Sequence, residues 1–209
     1  MQTGKFITIE GGEGAGKSTN ISFIKDYLEQ HAIEVVLTRE PGGTPLSERL
    51  REILLDKNEA NMCSDTELLL MFAARAQHLN EVIMPSIKKG KWVICDRFTD
   101  ATYAYQGGGR GIAFERIAAL ENWVQGDVRP DMTIIFDLPV DVGLSRASNR
   151  SEPDRFEQEN IDFFTRVRNA YLDRARQFPE RYAIVNAEPQ LDIVQQDLLS
   201  VLKTLVQAA

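Results

Sequence analysis

Short runs of β-branched and other apolar residues alternate along the chain with longer stretches in which apolar residues recur every three or four positions. The short runs predict buried strands at 5–10, 34–39, 92–96, 132–137 and 182–186. The longer stretches predict helices at 17–30, 46–56, 65–90, 113–126, 140–148, 160–178 and 191–206. Strands that alternate with helices in this way indicate an α/β fold, with a five-stranded parallel sheet flanked by helices on both faces.

The length and composition fit one globular domain. The chain has 209 residues, of which 43% are hydrophobic and 26% are charged, so we take residues 1–209 as a single domain. No apolar run approaches the roughly 18 residues of a membrane span, and residues 1–12 have the pattern of a strand followed by glycines, not of a secretion signal. Cys63 and Cys95 lack the spacing of a metal site or a disulfide framework, which predicts a cytoplasmic location.

The charge pattern limits the class of ligand. A net charge of −7 argues against broad attraction to nucleic acid or to an anionic membrane. The arginines are nevertheless locally concentrated, at positions 39, 51, 75, 97 and 110 and within residues 146–155. An acidic protein with such groups of arginines suits a small ligand that is rich in phosphate.

A glycine-rich loop lies between the first predicted strand and the first predicted helix. Its sequence IEGGEGAGKSTN contains the phosphate-binding pattern G-x-x-x-x-G-K-[ST], in which Lys17 reaches the β- and γ-phosphates and Ser18 coordinates Mg²⁺. The residues predicted to bind ATP are Gly11, Gly12, Glu13, Gly14, Ala15, Gly16, Lys17, Ser18 and Thr19. Glu13 is unusual here, because a carboxylate in this loop repels the phosphates of ATP.

Two more segments carry polar residues near the predicted strand ends. In CDRF, Asp96 is in position to act on a metal ion and Arg97 to face a phosphoryl group, although a surface Asp–Arg pair would have the same sequence. In TREPGGT, Arg39 precedes glycines that let the backbone approach a ligand closely, as they would also do in a simple tight turn. Beside a phosphate loop, these segments predict an acceptor site.

Two segments have the character of a base pocket. DATYAYQGGGRG contains Thr102 and Gln106, whose side chains carry groups that read the polar edge of a base. MFAAR puts Met71 or Phe72 on the same helix face as Arg75, an arrangement that can hold a flat ring against a guanidinium group. The alternative is that these two apolar residues belong to the core.

A polar segment at 145–157 predicts a lid. It contains Arg146, Arg150 and Arg155, one proline and no strand pattern. Such a segment can close over a triphosphate and exclude water, and its arginines can stabilise the transferring phosphoryl group. The alternative is a solvated charged loop.

Taken in order, the motifs EGGEGAGKST, TREPGGT, FAAR, DRF, YQGGGRG and DRFE resemble those of the thymidylate kinase family, in its bacterial form, over nearly the whole chain. The resemblance implies a P-loop kinase fold and transfer of the ATP γ-phosphoryl group to dTMP in the presence of Mg²⁺. It also implies a homodimer and a mobile lid. For the donor side it implies that Arg146 binds ATP, that Lys17, Arg97, Arg150 and Arg155 are catalytic, and that the metal ion lies at Ser18 and Asp96.

For the acceptor side, the resemblance implies that Glu13 lies near the 3′-hydroxyl of dTMP and does not face ATP. Arg39, Arg51 and Arg97 would hold the acceptor phosphate, and Arg75 would contact the thymine edge. The full set implied for dTMP is Glu13, Arg39, Pro41, Arg51, Phe72, Arg75, Arg97, Thr102, Tyr103 and Gln106.

Two members of that set depend on position within a motif. Tyr103 is expected to screen the 2′ position of the sugar. Relatives place the base-stacking phenylalanine four residues before the arginine, where this chain has Met71. We expect Phe72, one residue later, to take that role.

Two other functions are compatible with the phosphate loop. A kinase for another pyrimidine monophosphate is the nearest alternative. However, Arg75, Thr102 and Gln106 suit a base with two carbonyls, whereas cytosine would present an amino group. A P-loop switch would normally carry an N-K-x-D motif, which this sequence lacks, and would have no use for a second pocket rich in arginine.

Overall fold

The computed structural model describes residues 4–59, 61–148 and 155–207. Within these ranges five parallel strands form one sheet in the order β2-β3-β1-β4-β5. Their bounds are β1 Phe6–Glu10, β2 Val35–Arg39, β3 Trp92–Asp96, β4 Met132–Asp137 and β5 Tyr182–Asn186. The α/β fold and the position of every predicted strand, to within one residue, are therefore confirmed.

Helices cover the sheet and connect its strands. Their bounds are α1 Lys17–Gln30, α2 Pro45–Leu55, α3 Ser64–His78, α4 Met84–Lys88, α5 Thr99–Thr102, α6 Phe114–Gln125, α7 Val140–Ser148, α8 Ile161–Gln177 and α9 Leu191–Gln207. Short 3₁₀ turns occupy Lys57–Glu59 and Pro179–Arg181. In the described part of the chain, no helix has both the length and the apolar character needed to cross a membrane.

The two faces of the sheet pack against different helices, because successive side chains of a strand point to opposite sides. Ile7 of β1 belongs to a buried cluster that includes Leu28 of α1 and Leu198 of α9. Its neighbour Phe6 belongs to a second cluster on the other face, with Ile83. The apolar runs of the strands are therefore buried on both sides, as expected for a parallel sheet.

The long predicted helix at 65–90 is divided by a π-helical turn. The helix α3 runs into a π-helical turn at Leu79–Ile83, and α4 follows directly. Pro85 lies in the first turn of α4, the position at which a helix tolerates proline best. The chain is helical as predicted, but its hydrogen-bond pattern changes just before this proline.

Residues 99–109, to which the sequence pattern assigns no element, are helical. Helix α5 continues into a π-helical segment at Tyr103–Gly109. Its glycines permit close packing against α8: a Cβ atom on Gly108 would lie 2.8 Å from the Cβ atom of Ala170, and one on Gly109 would lie 2.4 Å from the ring of Phe163. The glycine run is therefore explained by helix packing, which outweighs its low helix propensity.

Candidate active site

The phosphate loop connects the carboxyl end of β1 to the first turn of α1. The ammonium group of Lys17 is buried beneath it and donates hydrogen bonds to the carbonyl oxygens of Gly11 (3.1 Å) and Gly12 (2.8 Å). Burial lowers the pKa of Lys17 to about 8, and the positive charge of Arg97 adds to this effect. The lysine charge is thus held at the loop that the sequence predicts to bind phosphate.

A cavity of about 260 Å³ opens beside this loop, at the carboxyl ends of the strands. Its wall includes most of the predicted site residues: Glu13, Gly14, Ala15, Gly16, Lys17, Ser18, Pro41, Arg51, Arg75, Asp96, Arg97, Thr102 and Gln106. Segments that are distant in sequence therefore meet in one place, as the predicted sheet requires.

Glu13 and Arg97 form an ion pair at this cavity. The guanidinium of Arg97 approaches Glu13 Oε1 to 2.7 Å and also donates to the carbonyl of Gly11 at 3.0 Å. Tyr105 donates from its hydroxyl to the same Glu13 oxygen at 2.6 Å, and its ring lies 4.9 Å from the Arg97 guanidinium carbon. The unusual carboxylate of the loop therefore holds an arginine in the cavity.

The backbone of Arg97 is strained, whereas the surroundings of its side chain stabilise the positive charge. Its φ angle is 67°, a left-handed value that non-glycine residues seldom adopt. Burial disfavours the charge, but Tyr105 and Glu13 outweigh it and raise the pKa of Arg97 well above its ordinary value. The guanidinium is thus a fixed positive charge on the cavity wall.

Arg75 is buried and offers one unused donor. Its Nε donates to Glu40 at 2.7 Å and one terminal nitrogen donates to Thr102 at 3.0 Å. The other terminal nitrogen is buried and has no hydrogen-bond partner among the described residues. His78 bonds to the second Glu40 oxygen through Nδ1 at 2.9 Å, so the carboxylate that orients Arg75 is itself held in place. A buried donor without a partner is costly, and here it belongs to a residue that lines the cavity.

Asp96 and Ser18 fit the magnesium site predicted from the sequence. One oxygen of Asp96 is buried and has no hydrogen-bond partner in the part of the chain that the structure describes. The two residues border the main cavity and also a second, open depression. No group of three or more histidine, cysteine or acidic residues within the described ranges is arranged to hold a metal ion. Mg²⁺ commonly uses one or two carboxylates together with substrate phosphates, so the smaller set of donors is suitable.

Phe72 and Tyr103 do not line the cavity. Phe72 is buried in a cluster with Tyr103, and its ring lies 4.7 Å from the guanidinium carbon of Arg75. Tyr103 donates to Glu121 on α6 at 2.7 Å. The cavity wall instead contains Met71 and Tyr105. The helical path therefore turns Met71 and Tyr105 toward the cavity, and not the two residues expected from the sequence.

Three residues that were predicted to bind a nucleotide lie to the side of the cavity. Arg39 is exposed and forms an ion pair with Glu48 at 2.9 Å, facing the open depression. Thr19 is exposed on α1. Arg146 lies near the opposite edge of the sheet, where it donates to the carbonyl oxygens of Ala187 and Glu188, both at 2.9 Å. These residues are not brought into the main cavity.

The predicted lid is described only in part. Arg146 lies on α7, whereas Arg150 falls within residues 149–154, outside the described residues. Arg155 is buried: its Nε donates to the carbonyl of Leu54 at 2.9 Å, and one terminal nitrogen lies 2.6 Å from Glu67. Arg155 is absent from the cavity wall, so this arrangement does not bring it to the phosphate loop.

Several residues at the site were missed from the sequence. Glu40 orients Arg75, Tyr105 bonds to Glu13, and Glu67 contacts both Gln106 and Arg155. For Glu40 and Tyr105 the signal was their position, since each is adjacent in sequence to a predicted site residue. Glu67 has none, because an acidic residue in the first turn of a helix is common for its effect on the helix dipole alone.

Glu10, at the end of β1, makes the stability of the protein depend on pH. Burial, with a further effect of Asp100, raises its pKa from 4.5 to about 8. The native carboxyl group therefore keeps a proton that the unfolded chain loses near pH 4.5, and stability falls as pH rises from there to about 8, by at most about 1.4 kcal/mol per pH unit. Glu10→Gln is expected to reduce this slope, as measured by urea unfolding at pH 5, 6.5 and 8. If the dependence of the unfolding free energy on pH is unchanged in this variant, Glu10 is not its source.

Comparison with known proteins identifies relatives along nearly the entire chain. A family model of thymidylate kinase matches residues 9–198. The thymidylate kinase of Pseudomonas fluorescens (strain SBW25) is 61% identical over 207 residues and that of Ectopseudomonas mendocina (strain ymp) 60% identical over 206; the alignments cover 99% of this chain and 99% and 98% of the two relatives. The crystal structure of thymidylate kinase from Ehrlichia chaffeensis matches with a TM-score of 0.79 at 35% identity, covering 96% of this chain and 99% of that one. The similarity includes all the elements that form the cavity.

Proposed function

Because this chain belongs to the thymidylate kinase family, we propose that it transfers the γ-phosphoryl group of ATP to dTMP, giving dTDP and ADP. The observation that carries the proposal is the cavity beside the phosphate loop, whose wall holds Arg75 with a buried donor that lacks a partner in the described chain. An enzyme that transfers a phosphoryl group to an acceptor needs a pocket for that acceptor in addition to its site for ATP.

The acceptor base is proposed to lie against Arg75, Thr102 and Gln106. The unused guanidinium donor of Arg75 suits a base carbonyl, and Met71, on the apolar part of the wall, suits the face of the ring. The sugar would then lie toward Tyr105, which takes the screening role first expected of Tyr103. This arrangement favours a base with two carbonyls, as in thymine or uracil.

The acceptor phosphate is proposed to bind Arg97 and Arg51. Both line the cavity, and Arg51 also donates to the carbonyl oxygen of Pro41 at 2.9 Å. Glu13 holds Arg97 and would lie beside the sugar hydroxyl, so that its charge is directed to the acceptor and not to ATP. Arg39 would act at longer range, because its ion pair with Glu48 lies outside this cavity.

On the donor side, the triphosphate of ATP is proposed to occupy the loop at 11–18, with its γ-phosphate near Lys17. Arg146, beside the loop that follows β5, would contact the nucleoside part of ATP. An oxygen of the acceptor phosphate forms the new bond to the γ-phosphorus, and the bond to the β-phosphate oxygen breaks to release ADP. Lys17 and Arg97 would stabilise the charge on the transferring group without exchanging a proton.

A magnesium ion is proposed to bind with ATP at Ser18 and Asp96. The unpaired carboxylate oxygen of Asp96 among the described residues supports this assignment. The ion, when bound, neutralises charge on the phosphate oxygens. Activity that persists in excess EDTA would contradict it.

The lid at about 145–157 is proposed to close over the two substrates. Arg150 keeps the expected role of stabilising the transition state. The contacts of Arg155 with Glu67 and Leu54 support a role in anchoring the lid in this arrangement, which replaces its expected role at the phosphoryl group.

A homodimer in the cytoplasm is proposed, without nucleic acid or membrane partners. Trp123 of α6 is 81% exposed, Leu69 of α3 is 55% exposed, and these two helices contact each other. A second copy of the chain would cover such apolar side chains. Sedimentation equilibrium that yields the monomer mass would contradict this part of the proposal.

The function is tested by measuring ADP release from ATP and Mg²⁺ with dTMP, dUMP, dCMP, UMP, AMP, GMP or thymidine as the acceptor. We expect the highest kcat/KM with dTMP, a lower value with dUMP and little activity with the others. Preference for another pyrimidine monophosphate would retain the kinase fold but contradict the base pocket. Slow hydrolysis that is indifferent to every acceptor would favour a P-loop switch.

A further inference from the structure

A buried carboxylate lies behind the proposed base pocket. Glu67, in the first turn of α3, is 1% exposed and does not line the cavity. Its oxygens meet the amide nitrogen of Gln106 at 2.8 Å, Arg110 Nε at 3.3 Å and Arg155 at 2.6 Å. One carboxylate therefore contacts a proposed base-reading residue and the anchor of the lid.

We infer that Glu67 is a positioning residue that sets the orientation of the Gln106 amide and thereby selects the hydrogen-bonding pattern of the base. This inference rests on the proposed function, because it assumes that a pyrimidine monophosphate occupies the cavity. A carboxylate paired with guanidinium groups only accepts hydrogen bonds. The NH₂ group of Gln106 must therefore face Glu67, and the carbonyl oxygen is what the amide offers to the cavity that Gln106 lines.

The pocket therefore presents a donor and an acceptor at defined positions toward the base. Arg75 presents a donor, and Gln106, turned by Glu67, presents an acceptor. Thymine and uracil offer a carbonyl next to a ring N–H, which complements this pair. Cytosine offers an amino group next to an unprotonated ring nitrogen, which is the reverse. Glu67 thus acts on discrimination between the two classes of base without contacting the ligand.

Arg110 also pairs with the carboxylate of Glu67, at longer distances than Arg155 does. It contacts both oxygens of Glu67, at 3.3 and 3.4 Å, and also pairs with Glu159. Because Arg110 belongs to neither the cavity wall nor the phosphate loop, its removal provides a control for lost ion pairing near Glu67.

The test compares kcat/KM for dTMP and for dCMP in Glu67→Gln. A glutamine at this position both donates and accepts, so Gln106 is free to reverse, and we expect the ratio of the two values to fall about tenfold, the effect of roughly one misdirected hydrogen bond. In Arg110→Met the carboxylate remains and the ratio is expected to stay within about threefold of the original. The thermal midpoint of each variant separates loss of stability from loss of discrimination.

The same measurement in Gln106→Met, alone and combined with Glu67→Gln, shows whether Glu67 acts through the amide. We expect Gln106→Met to lower the ratio and Glu67→Gln to lower it no further. If Gln106→Met lowers the ratio but Glu67→Gln leaves it unchanged, the inference is overturned and the proposed function stands. The inference is also overturned if Glu67→Gln lowers the ratio by the same factor in the original chain and in the Gln106→Met variant. If Gln106→Met has no effect, the base-reading role of Gln106 is wrong, and the inference fails with that part of the proposed function.

A second variant guards against failure to fold. Glu67→Asp keeps the negative charge next to Arg110 and Arg155 but withdraws the carboxylate from Gln106. We expect a smaller fall in the dTMP to dCMP ratio with the fold retained. A folded aspartate variant with an unchanged ratio would overturn the inference.

Discussion

In the Arg97→Ala variant, kcat/KM for dTMP is expected to fall about 10³-fold, which corresponds to about 4 kcal/mol of transition-state stabilisation. The guanidinium lies between the phosphate loop and the acceptor cavity, where it contacts Glu13 and the carbonyl oxygen of Gly11. Its removal takes away a positive charge and also breaks the ion pair with the partly buried carboxylate of Glu13. Steady-state kinetics with ATP and dTMP give the measurement.

The backbone of Arg97 requires a second variant. Alanine at φ 67° retains the strain of the original residue, whereas glycine relieves it. Arg97→Gly is therefore expected to be at least as stable as Arg97→Ala and to lose as much activity. Arg116→Ala, which removes an exposed ion pair with Asp65, is the matched control and should change activity less than about twofold. Near-normal turnover in both Arg97 variants would mean that the acceptor site is misplaced.

Replacing Lys17 with methionine is expected to lower kcat/KM at least about 10²-fold, since it removes a buried charge from the loop that holds the triphosphate. The methionine retains most of the length and volume of the lysine, so the loop keeps its packing. The ammonium group now bonds to two loop carbonyls and is available to exchange them for phosphate oxygens. Lys25→Met, on the solvent side of the same helix, serves as the control and should remain within about twofold.

Lys17 also predicts how ATP binding responds to pH. Its pKa of about 8 in the free protein means that the charged form, which binds phosphate, is lost as pH rises through that value. ATP affinity should therefore decrease from pH 7 to pH 9, by up to about tenfold per pH unit above 8. Glu10, with its pKa also near 8, titrates in the same range. Because Lys17→Met retains Glu10, calorimetric titrations of both proteins separate the two groups, and identical slopes would contradict the role of Lys17.

The sheet could be predicted from the sequence because the signal for each strand is local. Residues 92–96 are a run of apolar residues that ends in a charged one, and the structure places β3 there. The same logic located the phosphate loop, which needs only its own residues and the elements on either side. Once the sheet is known, its carboxyl edge brings Arg75 and Arg97 to one cavity.

The rest of the site depends on features that the sequence pattern does not contain. The choice between Tyr103 and Tyr105 depends on a π-helical path, which shifts the face of the segment relative to an ordinary helix. Met71 and Phe72 are neighbours, and a difference of one residue on a helix turns a side chain by about 100°. The pairing of Arg155 with Glu67 joins segments that are distant in sequence, and no periodicity predicts it.

The strand order has a consequence for how this protein can change. The phosphate loop follows the central strand β1, with β3 and β2 on one side and β4 and β5 on the other. Glu40 and Arg97, which belong to the proposed acceptor side, directly follow β2 and β3, whereas Arg146 meets the backbone after β5. Substitutions in the half that contains β2 and β3 can therefore change the preferred acceptor, while the proposed contact of Arg146 with ATP, in the half that contains β4 and β5, is left unchanged. The proposed contacts with the acceptor and with the nucleoside part of ATP lie on opposite sides of the middle strand, so substitutions aimed at a new acceptor belong in the half that contains β2 and β3.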